Sequence, residues 1–306
     1  MLSLERNLDY AGMVCEQGLF PPHVFALPLT VFQVGQMPWL DHLIVKNPIR
    51  RMMGGSATGA IAKFARECLD ERLGRGDTKS EKPLRRDFLT RFLEAKVTHP
   101  QVVTDRQVFS YTLSNVNAGS DTTAISLRAV LYYLLKNPPI LEKVYKEIEH
   151  AHNEGKFSIP VTWKESQELP YLDAVIKEAL RLHPAVGLLL ERIIPEGGLQ
   201  LPDGPFLPAG AVVGINPWVM HHSPIFGEDL DSFIPERWLQ GTKETKQQYD
   251  ARKSEMLGAT FTFGAGSRTC IGKNISLLEI YKAIPTLLYL FKASIRFQSF
   301  PYASSS

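Results

Sequence analysis

The chain has 306 residues, 44% of them apolar and 22% charged, an ordinary composition for one large globular domain or two small ones. Its formal net charge of +2 gives no indication of a nucleic-acid-binding surface, so no nucleic-acid partner is expected. Three cysteines, Cys15, Cys68 and Cys270, are too few for a disulfide framework and favour a reducing compartment.

The first 50 residues are irregular and show no apolar core of a signal peptide. The stretch Gly12–Gln33 has no clear period and contains Pro21, Pro22 and Pro28. Two interpretations stay open: a lineage-specific loop, or a gene-model error such as a translated intron, which the transcript sequence would decide. No uninterrupted apolar run of about 18 residues occurs, so no membrane anchor is predicted in this chain.

Residues 56–74 and 88–93 are predicted to form two helices. The apolar face of the first consists of residues at helical spacing: Ile61, Phe64, Ala65, Cys68 and Leu69. Because Cys68 lies on this face, we interpret it as a buried structural thiol rather than a ligand.

A long helix is predicted from the capping-box sequence Thr104–Gln107 to Lys136, since no proline occurs before Pro138. About 32 residues at 1.5 Å each give a length of roughly 48 Å. Its C-terminal half is strongly apolar, as is typical of a buried helix.

The middle of this helix, residues 118–123, reads Ala-Gly-Ser-Asp-Thr-Thr, where a core helix would be apolar. Glycine costs about 1 kcal/mol in a helix interior, and threonine hydroxyls can bend or open the backbone. Ala118, Asp121 and Thr122 share one face by their spacing. The small residue leaves room for a bound molecule, to which the acid and the hydroxyl could pass protons.

Further elements are predicted downstream. A helix over 139–152 is followed by one over 169–182, which carries Glu178 and Arg181 at the i, i+3 spacing of an ion pair. Strand-like runs separated by turns indicate a small sheet in 187–215. Residues 240–258 are charged and are predicted to be a loop. A last helix is expected from Gly272 to Leu290, with a kink or an early end at Pro285.

Between the charged segment and the last helix stands Phe-Gly-Ala-Gly-Ser-Arg-Thr-Cys-Ile-Gly, residues 263–272. A cysteine before a helix N-terminus has its thiolate favoured by the helix dipole and unpaired N–H groups. Gly264 and Gly272 permit tight turns and the close approach of a flat group. Arg268 lies two residues before Cys270, so in an extended loop both side chains would point to one side.

The spacing Phe-x-x-Gly-x-Arg-x-Cys-x-Gly resembles the heme-ligand loop of the cytochrome P-450 family, the heme-thiolate monooxygenases. Upstream, in family order, stand matches to three further motifs: the oxygen-activation segment at 118–123, Glu-x-x-Arg at 178–181, and Pro-Glu-Arg-Trp at 235–238. The resemblance implies a fold that is mainly α with small β-sheets. It also implies that residues 1–306 are the C-terminal portion of one cytochrome P-450 domain, lacking the earlier third to two fifths.

The resemblance also implies roles for particular residues. Cys270 would be the axial ligand of the heme iron, and Asp121 and Thr122 would deliver protons on the opposite face of the ring. Glu178, Arg181 and Arg237 would form a buried structural cluster. The remaining cofactor-binding positions are Phe263, Gly264, Arg268, Gly272, Ala118 and Arg192, the last holding a heme propionate unless it faces solvent.

The implied reaction inserts one oxygen atom from O2 into an apolar organic substrate, with electrons from an NADPH-dependent reductase. Residues 37–41, Met-Pro-Trp-Leu-Asp, resemble the segment between the lid helices of the fungal pisatin-demethylase-like group. The family resemblance as a whole implies a place on the cytosolic face of the endoplasmic reticulum membrane for the parent protein. A non-catalytic remnant with weak or no heme binding is the alternative. A zinc or redox-cysteine protein is disfavoured, because no second cysteine or histidine stands at ligand spacing from Cys270.

Overall fold

The structure is a computed structural model that describes residues 59–74, 87–202 and 204–291. The irregular segment 1–50, the stretch 12–33 within it and Cys15 lie outside the described residues. The described residues form two compact units that meet in sequence at Ser120 and Asp121.

The first unit contains α1 (Gly59–Gly74), α2 (Phe88–Thr98) and the first half of α3 (Asp105–Lys136). Its apolar core is built on Leu69, Val103 and Val108. Asp87 caps α2 by accepting from the backbone N–H of Thr90 at 2.9 Å. The predicted apolar face of α1 is confirmed, although Cys68 is only half-buried rather than enclosed.

Helix α3 has the predicted length of 32 residues. At its start, the Thr104 hydroxyl accepts from the backbone N–H of Gln107 at 3.4 Å, as the capping-box pattern predicts. The helix remains α-helical through residues 118–123, so the polar segment does not open it. The Ser126 hydroxyl, which donates to the Thr122 carbonyl at 2.9 Å, is accommodated within the helix.

The second unit is mainly helical. Its helices are α4 (Pro138–Asn153), α5 (Trp163–Ser166), α6 (Pro170–Leu182), α7 (Pro217–His221), α8 (Lys246–Gly258) and α9 (Lys273–Leu290). Helix α6 is its centre, because nearly every residue from Leu172 to Leu182 is buried. The largest apolar cluster joins α6 to α4, α9 and the C-terminal half of α3.

Helix α6 has no side-chain cap of its own, and α4 supplies one. The Glu147 carboxylate accepts from the backbone N–H groups of Tyr171 at 2.7 Å and Leu172 at 2.8 Å. Burial raises the pKa of Glu147 above its usual value. The central helix is therefore fixed at its N-terminus by a neighbouring helix.

The predicted small sheet is present as two separate antiparallel ribbons. One pairs β1 (Leu190–Ile193) with β4 (Val212–Ile215), and the other pairs β2 (Leu199–Gln200) with β3 (Phe206–Leu207). A mainly α fold with small β-sheets is confirmed.

Helix α9 reaches Leu290 as expected, and of the two outcomes expected at Pro285 the early end does not occur. One sequence-based expectation was wrong in this unit. The segment 240–258 is not a loop throughout, because α8 occupies Lys246–Gly258. The signal for α8 was a capping box in which Gln248 N–H donates to the Thr245 hydroxyl at 3.3 Å and Thr245 N–H donates back to Gln248 Oε1 at 2.9 Å.

Candidate functional site

A buried charge cluster is centred on α6. Glu178 and Arg181 are fully buried on α6, one turn apart, and form a two-bond ion pair at 2.9 and 2.8 Å. Arg237 Nε donates to Glu178 Oε1 at 2.8 Å, and Trp238 Nε1 donates to Oε2 at 2.9 Å. The backbone N–H of Ile234 adds a bond to the same carboxylate at 3.2 Å. The predicted three-residue cluster is confirmed.

Two guanidinium groups share one carboxylate, so backbone carbonyls complete the cluster. Arg181 Nη1 donates to the carbonyls of His221 and Leu230, both at 2.9 Å. Arg237 donates to the carbonyls of Phe226 and of Asp229, the latter at 3.0 Å. Because every donor has an acceptor, these buried charges can persist, and they fix the segment between α7 and the Pro235–Trp238 turn to α6.

The cysteine loop, residues 261–272, follows α8 and folds back on itself before α9 begins. The Gly264 N–H donates to the Phe261 carbonyl at 2.9 Å, and the Cys270 N–H donates to the Phe263 carbonyl at 2.8 Å. Gly264 and Gly266 have φ values of +69° and +67°, which glycine adopts without strain. The glycines therefore allow a closed turn that brings Cys270 back beside Phe263.

The side chain of Cys270 is exposed, and the loop delivers it just ahead of α9. Gly272 is the N-cap of this helix, and a Cβ added there would lie 3.8 Å from the Cys270 sulfur. Within the described part of the chain, no hydrogen bond engages the backbone N–H groups of Ile271 and Gly272. Glycine thus leaves one flank of the sulfur open, and two N–H donors remain free close to it in sequence.

The spacing argument for Arg268 does not hold. Arg268 ends a single 3₁₀ turn, Gly266–Arg268, so the backbone here is not the extended chain in which alternate residues share a side. Arg268 and Cys270 are both exposed. The direction of the Arg268 side chain relative to the Cys270 sulfur therefore cannot be inferred from the alternation of side chains along a strand.

Arg192 lies in β1, which adjoins the cysteine loop. A Cβ added at Gly264 would lie 3.7 Å from Leu190 Cδ1, so the loop packs against this strand. Leu190 and Arg192 are two residues apart and share one face of β1. Arg192 is exposed and donates to the Glu191 carbonyl at 2.6 Å. The strand face that meets the loop therefore carries an exposed cation.

The polar segment of α3 is partly accessible. Ala118 and Asp121 are exposed and Thr122 is half-buried. Thr123 is buried, and its hydroxyl is 3.0 Å from the Ser276 hydroxyl in the first turns of α9. This contact joins the second unit's part of α3 directly to the helix that follows Cys270.

Apolar side chains are exposed beside the cysteine loop. Ile215, which pairs with Leu190 on the ribbon face that meets the loop, is 47% exposed, and Ile271, which follows Cys270, is fully exposed. Together with a sulfur donor, exposed apolar surface is the chemistry that a flat, mostly apolar ring with a metal at its centre requires. The residues present therefore fit a heme.

No zinc-type arrangement accompanies Cys270 in the described ranges, where no three His, Cys, Asp or Glu side chains come together. His221 and His222 diverge: His221 is buried, while the His222 ring lies tilted against the Trp218 ring and its Nδ1 is 2.7 Å from the Trp218 carbonyl. Sequence reasoning missed three residues of this region, Thr123, Ser276 and His221. Their contacts join segments far apart in the chain, so no local pattern marks them.

Comparison with known proteins identifies the family. The family model described as Cytochrome P450 matches residues 26–302. The chain belongs to the cytochrome P450 family. The cytochrome P450 monooxygenase cicH of Emericella nidulans is 42% identical over 261 residues, which cover 85% of this chain and 50% of that protein. A cytochrome P450 monooxygenase of Aspergillus terreus is 43% identical over 301 residues, covering 96% of this chain and 58% of that protein.

A pisatin demethylase of Fusarium vanettenii is 48% identical over 182 residues, 59% of this chain and 32% of that protein. The chain thus spans about half the length of the curated cytochrome P450 relatives it matches. Family membership implies a heme cofactor. Among the described residues, no helix combines the length and apolar character needed to cross a bilayer.

Proposed function

We propose that this chain is the heme-holding portion of a cytochrome P450 monooxygenase, with Cys270 as the thiolate ligand of the iron. The observation that carries the proposal is the loop closed by the Cys270 to Phe263 backbone bond, which presents an exposed sulfur before α9. We assign residues 1–306 to one partial cytochrome P450 domain, since the family model extends over nearly the whole chain.

The surroundings of Cys270 offer hydrogen-bond donors to a sulfur ligand. The start of α9 contributes the positive end of its dipole, and the unengaged N–H groups of Ile271 and Gly272 can donate to sulfur. Such donors also tune the potential of a metal bound to the thiolate. When bound, the heme supplies the oxidation chemistry, for which an axial thiolate favours O–O cleavage.

The cofactor's periphery would be held by the neighbouring residues. Arg268 and Arg192, both exposed, are suited to bind its carboxylate groups. Phe263, Gly264 and Gly272 would line the ring's edge and face, where the glycines permit close approach. The support for Arg192 is its position on the β1 face that meets the loop at Gly264.

Asp121 and Thr122 on α3 are assigned to proton delivery. Asp121 is exposed and can exchange protons with solvent, while the half-buried Thr122 hydroxyl can hold and pass a proton inward. Ala118 lies one helical turn away, and its small side chain leaves room for O2 and substrate. The three positions share a helix face by their spacing.

The overall reaction would be a mixed-function oxidation. One oxygen atom of O2 enters a C–H bond of a small apolar substrate, and the other leaves as water after taking up two electrons and two protons. The electrons would come from NADPH through a cytochrome reductase, and the parent protein would act at the cytosolic face of the endoplasmic reticulum. These partners and this location rest on the likeness to the fungal monooxygenases.

A non-catalytic remnant with weak or no heme binding is the alternative that the test must exclude. The test is the carbon-monoxide difference spectrum of the reduced, heme-loaded protein, measured for this chain and for a form lengthened by the upstream coding sequence. We expect a thiolate-type band in at least the longer form. A band confined to the longer form supports the remnant reading of this chain alone, and no band in either form refutes the monooxygenase proposal.

Cysteine variants supply the matched control. Cys270→Ser should abolish the thiolate-type band, whereas Cys68→Ser, which alters a half-buried cysteine in α1, should leave it intact. Loss of the band in both variants would indicate misfolding rather than loss of the ligand.

A further inference from the structure

A buried histidine connects the charge cluster to the cysteine loop. His221 ends the short helix α7 and has no exposed surface. Its ring is 2.9 Å from the Arg181 carbonyl through Nδ1 and 2.8 Å from the Phe261 backbone nitrogen through Nε2. A carbonyl can only accept and an amide N–H can only donate, so the proton must lie on Nδ1 and the lone pair on Nε2.

Both partners of His221 belong to structures described above. Arg181 is a member of the charge cluster, and its guanidinium also donates to the carbonyl of His221 itself at 2.9 Å. Phe261 begins the cysteine loop, and its carbonyl accepts from Gly264 at 2.9 Å. Two residues further on, the Phe263 carbonyl accepts from Cys270 at 2.8 Å. A continuous run of bonds and short loop segments therefore leads from α6 to the cysteine.

The loop has few other anchors to α6. The Thr262 hydroxyl donates to the Leu180 carbonyl, but at a long 3.4 Å. Beyond this point the loop residues from Ala265 to Ile271 are exposed. Among the described residues, the His221 bond is the shorter of the two hydrogen bonds that join the loop's start to α6 and α7.

We propose that His221 is a positioning residue whose neutral, Nδ1-protonated imidazole fixes the start of the cysteine loop to α6 and thereby places the sulfur of Cys270. The fixing of the loop is a property of the protein alone. The consequence for a metal ligand rests on the function proposed above.

The chemistry explains why this position uses a histidine. The imidazolium form would carry a proton on Nε2 facing the Phe261 N–H, so two donors would oppose each other. Burial, with a smaller effect from the nearby Arg181 and His222 charges, lowers the pKa of His221 to about 4, which keeps the ring neutral at physiological pH. Asparagine and glutamine can each replace one end of the ring, because their amides reach the Nδ1 and Nε2 positions respectively.

That difference in reach gives a pair of matched variants. His221→Asn keeps a donor for the Arg181 carbonyl but loses the acceptor for Phe261. His221→Gln keeps an acceptor for Phe261. His222→Gln, at the neighbouring half-buried position, is the control that should change neither.

The first measurement is amide hydrogen exchange of the heme-free chain. We expect exchange at Phe261 and Gly264 to accelerate by about fivefold or more in His221→Asn, in keeping with the loss of one buried hydrogen bond, and to return toward wild type in His221→Gln. Amides within α6 should be little affected. Equal acceleration in the two His221 variants, or acceleration spread evenly over α6 and the loop, overturns the proposal.

The second measurement needs no variant. Nitrogen NMR of the wild-type chain at neutral pH should show His221 protonated at Nδ1 only. A ring protonated at Nε2, or a cation, refutes the proposal even if the variants fail to fold. Because both measurements are made without heme, they can fail while Cys270 proves to be the ligand, and they can succeed while it does not.

Discussion

The charge cluster and the cysteine loop contain the chain's most specific sequence motifs, yet they are built in opposite ways. Glu178 and Arg181 have no exposed surface, and donors and acceptors meet all around them. The loop exposes Cys270 and Arg268 and is closed by a few backbone bonds. The buried groups of the cluster bind one another and stabilise the fold. The exposed groups of the loop are available to bind a ligand.

The largest effect is expected from removing the charge of Glu178 in the charge cluster. Glu178→Gln leaves two guanidinium groups without their carboxylate and turns an amide N–H toward Arg181. We expect a loss of about 3–5 kcal/mol in the free energy of unfolding, measured by urea denaturation.

Its control is Glu142→Gln on α4, whose pairing with Lys146 at 3.5 Å is exposed. This change should alter the free energy of unfolding by less than about 0.5 kcal/mol. A loss below about 1 kcal/mol for Glu178→Gln would mean that the cluster does not stabilise the unit as described.

A change of pH probes the link between the two regions. The pKa of His221 is about 4 in the folded chain, chiefly because the ring is buried, whereas the ordinary value for a histidine is 6.5. Between these values the unfolded chain binds a proton that the folded chain does not, so the folded state loses stability as pH falls from about 6.5 to about 4. The full contribution is about 3 kcal/mol, and above pH 6.5 it should be constant.

The measurement is the difference in unfolding free energy between wild type and His221→Gln across that pH range, which removes the contribution of other titrating groups. The variant should show the shallower decline. Parallel pH profiles for the two proteins would contradict a neutral, buried His221.

A smaller effect is expected where α3 meets α9. Thr123→Val and Ser276→Ala should each remove the same hydroxyl–hydroxyl bond of 3.0 Å. A double-mutant cycle on unfolding free energy should therefore give a coupling of about 0.5–1.5 kcal/mol. Ser120→Ala, on an exposed part of α3, should show no coupling to Ser276→Ala. A coupling near zero for the first pair would show that the two helices are not joined through these hydroxyls.

The sequence predicts different parts of this comparison to different depths. Helix α3 could be predicted from its capping-box sequence and the absence of proline before Pro138. The Glu178, Arg181 and Arg237 cluster could be predicted because its motifs resemble those of the family. Helix α8 was missed because Met256 is its single buried residue, so its amphipathic pattern is weak. The direction of the Arg268 side chain could not be predicted, because a 3₁₀ turn replaces the extended backbone that the spacing argument assumed.

The tertiary contacts of the site lie beyond such reasoning. His221 joins the Arg181 carbonyl to the Phe261 N–H, and Thr123 meets Ser276, across long stretches of sequence. Neither contact follows a helix or strand period. The sequence thus indicates candidate functional residues, whereas the tertiary contacts that position the elements around them become apparent only in the folded structure.

The most direct test of the central claim is X-ray absorption at the iron edge of the heme-loaded protein, in the shortest form that retains heme. The account predicts one sulfur neighbour of the iron in the wild type and in Cys68→Ser, and none in Cys270→Ser. A sulfur neighbour that persists in Cys270→Ser, or no sulfur neighbour in the heme-loaded wild type, would contradict it.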